Sequence, residues 1–98
     1  MRFLNNSTSK VLAPKKAKRH YPEGRIIVLD DNFNTFEHVA NCLLIIIPAM
    51  SEKRAWDLTL KVDREGSAEV WRGPLEQAEL YHQLLESKGL TMAPIEKA

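Results

Sequence analysis

A short run of apolar, mostly β-branched residues constrains the fold more than any other feature of the sequence. Residues 25–29 (Arg-Ile-Ile-Val-Leu) are preceded by Gly24 and followed by the polar triplet at 30–32 (Asp-Asp-Asn). An apolar run of this length, bounded by turn-forming residues, predicts a buried β-strand that ends in a polar loop. The rest of the chain must therefore supply strands that pair with it and apolar surfaces that cover it.

Three amphipathic segments predict three helices, because their apolar residues recur at three- and four-residue spacings. The expected N-cap of the first helix is Asn34, with Glu37 three residues later, and Pro48 ends that helix. The second is expected to run from a cap at Ser51 to residue 66, and the third from Pro74 to residue 89, each ending at a glycine.

Two further segments complete the predicted sheet. Residues 68–72 (Ala-Glu-Val-Trp-Arg) alternate enough for a half-exposed strand. Residues 90–96 are a candidate last strand, which Pro94 confines to the sheet edge. The order β-α-α-β-α-β predicts an α+β fold: a small sandwich with three helices on one face of a three-stranded, mostly antiparallel sheet.

Basic residues concentrate at the start of the chain. Residues 1–22 carry six basic side chains and no acidic one, whereas residues 23–98 carry eight basic and thirteen acidic side chains, a net charge of −5. Polar residues at 5–9, two prolines and the lack of a sustained apolar period favour a flexible segment. We therefore predict a basic flexible N-terminal arm, residues 1–23, and a folded core, residues 24–98.

Several roles are open to this arm. A solvated segment that tolerates charge and a contact arm for a partner are both consistent with a block of like charges. An organelle transit peptide is a further alternative. Nucleic-acid binding is disfavoured because the acidic core repels phosphate.

Composition excludes other classes of protein. With 98 residues, 44% hydrophobic and 28% charged, the chain is expected to form one soluble domain. The longest apolar run, residues 42–50, contains Pro48 and is shorter than the ~20 residues of a membrane span. The single cysteine cannot form an internal disulfide, and no signal-peptide core follows Met1, so a reducing intracellular compartment is expected.

The residue types that often form metal or catalytic sites do not have the spacing of such sites in this sequence. His20, His38, His82 and Cys42 show no metal-ligand pattern, which favours structural histidines and a buried thiol. No phosphate-binding loop, Ser/His/Asp array or CxxC motif is present. We therefore expect neither an enzyme, nor a metal site, nor a cofactor.

The unusual feature is the acidic loop at residues 30–32, which is followed at once by Phe33, expected to be exposed, and by the first helix. One interpretation is a plain turn and N-cap, because Asp and Asn favour both. The other is a binding loop. An α-amino group with a pKa near 7.7–8.0 is mostly an ammonium at pH 7, and carboxylates are its natural acceptors.

Several stretches of the chain match one family pattern. They are residues 30–39 (Asp-Asp-Asn-Phe-Asn-Thr-Phe-Glu-His-Val), 53–55 (Lys-Arg-Ala), 66–68 (Gly-Ser-Ala), 78–79 (Ala-Glu) and 96–98 (Glu-Lys-Ala). From residue 25 onward the chain resembles the ClpS adaptors, which recognise the N-terminal residue of degradation substrates and deliver them to a Clp ATPase–protease. Residues 33–39 and 55–59 are similar to the second ClpS type of cyanobacteria.

The resemblance implies roles for the acidic loop and the end of the second helix. Asp30, Asp31 and Asp63 would bind the substrate's α-amino group, and Asn32 and Asn34 would contact the peptide backbone. Two of the amine-binding positions depart from the family pattern, which has Asn at the position of Asp30 and His at the position of Asp63, and the family has Asp at the position of Asn32. The family also has Thr at the position of Asn34.

The resemblance further implies a hydrophobic pocket for the substrate's first side chain. Its lining would be Phe36, Val39, Thr59, Val62 and Thr91, with Phe36 at the position of the Met that gates the family pocket. Judged by spacing alone, Val39, Thr59 and Val62 are predicted to be ordinary core residues.

The implied partners are substrate proteins with destabilising, bulky apolar N-termini and the N-terminal domain of a ClpC- or ClpA-like ATPase. Glu76 and Tyr81 would contact that domain, although the family has Lys at the position of Tyr81. The arm would act in delivery, with neither nucleic acid nor membrane involved, in the bacterial cytosol or, as second choice, the plastid stroma. The alternative is an assembly module of the same fold without a pocket, as in the C-terminal domain of the ribosomal stalk protein.

Overall fold

The computed structural model describes residues 21–98, and its elements follow the predicted order. The α+β prediction is confirmed: three helices accompany a sheet in the strand order β2-β1-β3, and both strand pairs are antiparallel. The elements are β1 (Glu23–Leu29), α1 (Phe36–Ile46), α2 (Glu52–Glu65), β2 (Ser67–Pro74), α3 (Leu75–Ser87) and β3 (Glu96–Lys97).

The predicted arm, residues 1–23, lies mostly outside the described residues. Of its last three residues, Glu23 already belongs to β1, and the Pro22 carbonyl accepts a hydrogen bond from the Leu75 N–H at 2.9 Å. In the part of the chain from residue 21 to residue 98, no helix is long and apolar enough to cross a membrane.

The central strand is buried on one face. Along β1, Gly24, Ile26 and Val28 are buried, and the residues between them are half-buried. The alternation follows from the two-residue period of a strand, which directs every second side chain to the same face. The register shifts by one residue on β2 opposite Ile26 and Ile27, a bulge that increases the local twist.

The helices cover this buried face. Helix α3 packs against β1 and β2, while α2 packs against β2 and α1. Among the described residues the largest fully buried side chains are Ile26, Val28, Leu43, Val70 and Leu85, drawn from two strands and two helices. One continuous apolar core therefore fixes α1 and α2 relative to the end of β1.

Helix ends differ in one place from the expected caps. The N-cap of α1 is Thr35, not Asn34, and the Thr35 hydroxyl accepts a hydrogen bond from the His38 N–H at 3.1 Å. Asn34 is engaged elsewhere, as described below. Ser51 caps α2 as predicted, and Gly66 ends it in the left-handed region at φ 90°, which a glycine adopts without steric cost.

The last strand is shorter than the predicted segment, residues 90–96. Only Glu96 and Lys97 pair regularly with β1, and Met92 makes an isolated bridge to Val28. Irregular hydrogen bonds nevertheless hold the intervening chain along β1, from the Leu29 N–H to the Thr91 carbonyl and from the Ala93 N–H to the Ile27 carbonyl. Pro94 lacks the N–H that a continuous ladder would need.

Candidate functional site

A small cavity that opens to solvent lies where β1 ends between α1, α2 and the segment after α3. Nine of the ten residues predicted for the loop, the amine site and the pocket line it. They are Asp30, Asp31, Asn34, Phe36, Val39, Thr59, Val62, Asp63 and Thr91. The tenth, Asn32, is exposed and does not line the cavity.

The remaining lining residues were missed from the sequence: Val28 and Leu29 at the end of β1, and Leu90 after α3. All three were assigned to strands, and periodicity does not show which end of a strand borders a cavity. The signal that could have found Leu90 is the glycine before it. Gly89 has φ 92°, so it turns the chain after α3 toward β1.

The inner wall of the cavity is apolar. Val28, Val39, Val62 and Leu90 are all at least nine-tenths buried. Thr59, 2% exposed, is the buried polar residue of this wall, and its hydroxyl donates to the Ala55 carbonyl at 2.8 Å. Because that hydrogen bond satisfies the donor within α2, Thr59 is compatible with an otherwise apolar wall.

Two carboxylates lie on the cavity rim. The Asp30 N–H donates to the Gly66 carbonyl at 2.9 Å, which fixes the end of β1 to the end of α2. Asp63 lies one helical turn before that glycine, on the same helix end. Both carboxylates line the cavity, both residues are exposed, and neither side chain has an ion pair or hydrogen bond within residues 21–98.

The third carboxylate is engaged in the loop itself. Asp31 Oδ1 accepts the N–H groups of Phe33 and Asn34 at 2.8 Å each. Asp31 Oδ2 accepts the Asn34 side-chain amide at 2.6 Å and the Thr91 hydroxyl at 2.7 Å. These hydrogen bonds, led by the Asn34 N–H and the Thr91 hydroxyl, hold the pKa of the Asp31 carboxyl well below its ordinary value of 3.8.

The mouth of the cavity is aromatic. Phe36, the first residue of α1, is 41% exposed and lines the cavity beside the acidic rim. Phe33, at the tip of the loop, is 89% exposed and does not line the cavity. The prediction that Phe33 is exposed is confirmed.

Glu76 and Tyr81 lie elsewhere, on α3. Glu76 is exposed in the first turn and borders a second surface groove together with Pro22 and Leu75. Tyr81 is half-buried, and its ring meets Trp71 edge to face at 5.0 Å. Neither residue lines the cavity.

The histidines and the thiol have structural contacts in the described part of the chain. His38 Nε2 hydrogen bonds with the Lys88 carbonyl at 2.8 Å, and His82 Nε2 with the Ala93 carbonyl at 2.9 Å. Burial raises the pKa of the Cys42 thiol. No group of three or more metal-ligating side chains occurs between residues 21 and 98. His20 lies outside these residues.

The ClpS family, described as "ATP-dependent Clp protease adaptor protein ClpS", matches residues 19–93. A ClpS adapter protein from Synechocystis sp. is 59% identical over 81 residues, which cover 83% of each chain. One from Nostoc sp. is 52% identical over 96 residues, covering 94% of this chain and 99% of the relative.

The fold matches as well. The solved structure of Agrobacterium tumefaciens ClpS2 bound to L-phenylalaninamide has a TM-score of 0.72 and 21% sequence identity, covering 81% of this chain and all of the other. The family match, the two cyanobacterial relatives and the shared fold lead to one conclusion: the chain belongs to the ClpS family of adaptors of the ATP-dependent Clp protease.

Proposed function

We propose that this adaptor captures the free N-terminal residue of substrate proteins, with a preference for bulky apolar residues such as Leu and Phe. The observation that carries the proposal is the cavity itself, which joins an apolar inner wall to a rim with two carboxylates that have no partner within residues 21–98. An N-terminal residue has matching chemistry, because its apolar side chain and its ammonium are attached to the same carbon atom.

Asp30 and Asp63 would bind the α-amino group of the substrate. A carboxylate offers about four acceptor positions, and Asp31 already accepts four hydrogen bonds. Asp31 therefore contributes negative charge and loop geometry, whereas Asp30 and Asp63 have side-chain acceptors without a partner within residues 21–98. Asn32, from outside the cavity lining, would contact the peptide backbone, as would the side-chain oxygen of Asn34, because the Asn34 amide nitrogen already donates to Asp31 and Gly89.

The side chain enters between Phe36 and the apolar wall of Val39, Thr59, Val62 and Thr91. Burying one Leu or Phe side chain contributes about 1.5–3 kcal/mol. That amount alone corresponds to affinity weaker than millimolar. The ammonium contacts must therefore supply much of the remaining binding free energy, which makes a free amine a requirement.

The bound ligand of the Agrobacterium relative supports this assignment. L-Phenylalaninamide has a free α-amino group next to an aromatic side chain, which is the chemistry inferred here for the substrate. In this chain a cavity lies at the junction of β1, α1 and α2.

Delivery requires a second surface, and we assign it to α3. Glu76, exposed at the start of that helix, and the accessible part of Tyr81 would contact the N-terminal domain of a ClpC- or ClpA-like ATPase. The arm, residues 1–23, would act in transfer to the ATPase rather than in recognition. The bacterial relatives support the cytosol as the place of delivery, with the plastid stroma as second choice.

The decisive experiment is a binding titration with a matched pair of peptides. A short peptide that begins with Leu or Phe should bind, and the same peptide with an acetylated N-terminus should not, because acetylation removes the charge. Equal affinity for the two peptides would contradict N-terminal capture. Failure to bind either would favour an assembly module of the same fold.

A further inference from the structure

Two side-chain hydrogen bonds connect the binding loop to the chain segment after α3. The Thr91 hydroxyl donates to Asp31 Oδ2 at 2.7 Å. The Asn34 amide nitrogen donates to the Gly89 carbonyl at 3.0 Å, and also to Asp31 Oδ2 at 2.6 Å. We call the side chains of Asp31, Asn34 and Thr91, with the Gly89 carbonyl, the latch.

The latch joins two adjoining walls of one cavity. Asp31 and Asn34 line the cavity from the loop, while Leu90 and Thr91 line it from the segment after α3. These partners are 55 and 60 residues apart in the chain, so the two walls have no local connection. Backbone hydrogen bonds tie Asp30 to the end of α2 and Thr91 to Leu29 at the end of β1, and the latch adds contacts between the loop beyond Asp30 and the segment after α3.

Asn34 is the bridging member of the latch. A primary amide has two N–H donors on one nitrogen, so Asn34 can satisfy Asp31 and Gly89 at the same time. Threonine, which the family pattern has at this position, offers one hydroxyl donor and so cannot replace both hydrogen bonds. The connection to Gly89 thus depends on a residue that distinguishes this chain from the family pattern.

We propose that Asn34 is a positioning residue for N-terminal capture: through Asp31 and Gly89 it holds the two cavity walls in their binding geometry before the peptide arrives. The inference rests on the proposed function. A preformed site spares the free-energy cost of ordering a loop on binding, so losing the bridge should reduce affinity.

The test compares Asn34→Thr, Thr91→Val and the double variant with the unmodified protein. Each is titrated with the Leu peptide, and amide hydrogen exchange is measured without peptide at Phe33 and Ala93, one on each side of the latch. Ser87→Ala is the matched control, since it removes a hydroxyl hydrogen bond of 2.7 Å to the Leu84 carbonyl near the end of α3, outside the latch.

Each single variant is expected to weaken peptide binding about tenfold, with little change in melting temperature. The double variant should lose less than the product of the two single losses, because both remove the same connection. Thr91→Val should speed exchange at Phe33, and Asn34→Thr should speed it at Ala93, each across the latch. Ser87→Ala should change neither measurement.

The outcomes separate the two proposals. If the unmodified protein prefers the free peptide but Asn34→Thr binds it equally well, the positioning role is wrong and N-terminal capture stands. Strictly multiplicative losses in the double variant would likewise overturn the coupling. If the unmodified protein fails to distinguish free from acetylated peptide, the proposed function fails, and the positioning role fails with it.

Discussion

Two regions of this molecule differ in whether their carboxylates have an ion-pair partner. On the sheet face turned away from the helices, Arg25 of β1 pairs with Glu69 of β2 at 3.4 Å and also with Glu96 of β3. At the cavity rim, Asp30 and Asp63 have no ion-pair partner within residues 21–98. The first region connects three strands, whereas the second presents unpaired charge next to an apolar wall.

The difference indicates that the paired carboxylates serve the sheet, whereas the carboxylates of the cavity rim serve ligand binding. Exposed ion pairs contribute about 0–1 kcal/mol each, so the outer face adds little to the stability of the fold, and its carboxylates already have a cationic partner. Carboxylates without an ion-pair partner do not stabilise the fold through ion pairs. They can instead attract the ammonium of an N-terminal residue whose side chain is apolar. The following predictions test this division.

Removing the rim charge should have the largest effect. A unit-charge pair about 4 Å apart near a protein surface interacts by up to about 4 kcal/mol before desolvation is subtracted. Asp63→Asn is therefore expected to weaken binding of a Leu peptide at least tenfold in a fluorescence titration. Asp57→Asn is the matched control on the same helix, because Asp57 is already paired with Lys53 at 2.8 Å. Equal losses in both variants would refute a specific amine contact at Asp63.

The pH dependence of binding should also distinguish this site from the family pattern. A His at the position of Asp63 would lose its acceptor on protonation near its ordinary pKa of about 6.5. With Asp63 instead, affinity should stay nearly flat from about pH 7.5 to 6 and should fall as salt is added. The double substitution Asp30→Asn and Asp63→His should introduce a loss centred near pH 6.5. A midpoint already near 6.5 in the unmodified protein would contradict the assignment.

The latch should persist over the same pH range. The Asp31 carboxyl has a pKa well below its ordinary value of 3.8. A carboxyl with a depressed folded-state pKa stabilises the fold above its unfolded-state pKa, and this contribution is lost as the pH falls through the folded-state value. Any change in affinity between about pH 7.5 and 6 must therefore come from groups other than Asp31.

Substituting Phe36, the proposed gate of the cavity, should have a smaller effect, which should change selectivity more than affinity. Phe36 places a planar ring at the mouth where the family has a flexible Met, so β-branched Ile and Val should be excluded, and Trp should bind less well than Leu. Phe36→Ala should admit Ile and Trp peptides and bring their affinities within a few-fold of that of the Leu peptide. An unchanged ranking of Leu, Ile and Trp peptides would show that Phe36 is not the gate.

Removing the ion pairs of the outer sheet face should have the smallest effect. Arg25→Met keeps an apolar stem and removes both ion pairs, so the free energy of unfolding should fall by about 1 kcal/mol or less, and less so at high salt. Peptide affinity should not change. A tenfold loss of affinity would show that the two regions are coupled through β1, against the division drawn above.

Much of the fold could be predicted from local pattern. The strand at residues 25–29, the helices that end at Pro48 and Gly66, and the polar loop after β1 all follow from periodicity, chain breakers and caps. The cap of α1 could not be assigned in this way. Asn34 and Thr35 are both good N-caps by type, but in the structure Thr35 caps the helix while the Asn34 amide donates to Asp31 and to the distant Gly89 carbonyl.

The candidate site was also predicted only in part from the sequence. The sequence determined which residue types are available: three carboxylates, two at the acidic loop and one at the end of a helix, and apolar positions whose helical spacing alone favours a core. Only the tertiary structure decided that Asp31 accepts hydrogen bonds from the loop and Thr91, that Asp30 and Asp63 have no side-chain partner within residues 21–98, and that Leu90 and Thr91 line the cavity. The physical reason is that the two walls meet through hydrogen bonds between residues 55 and 60 positions apart, a separation at which no local spacing rule applies.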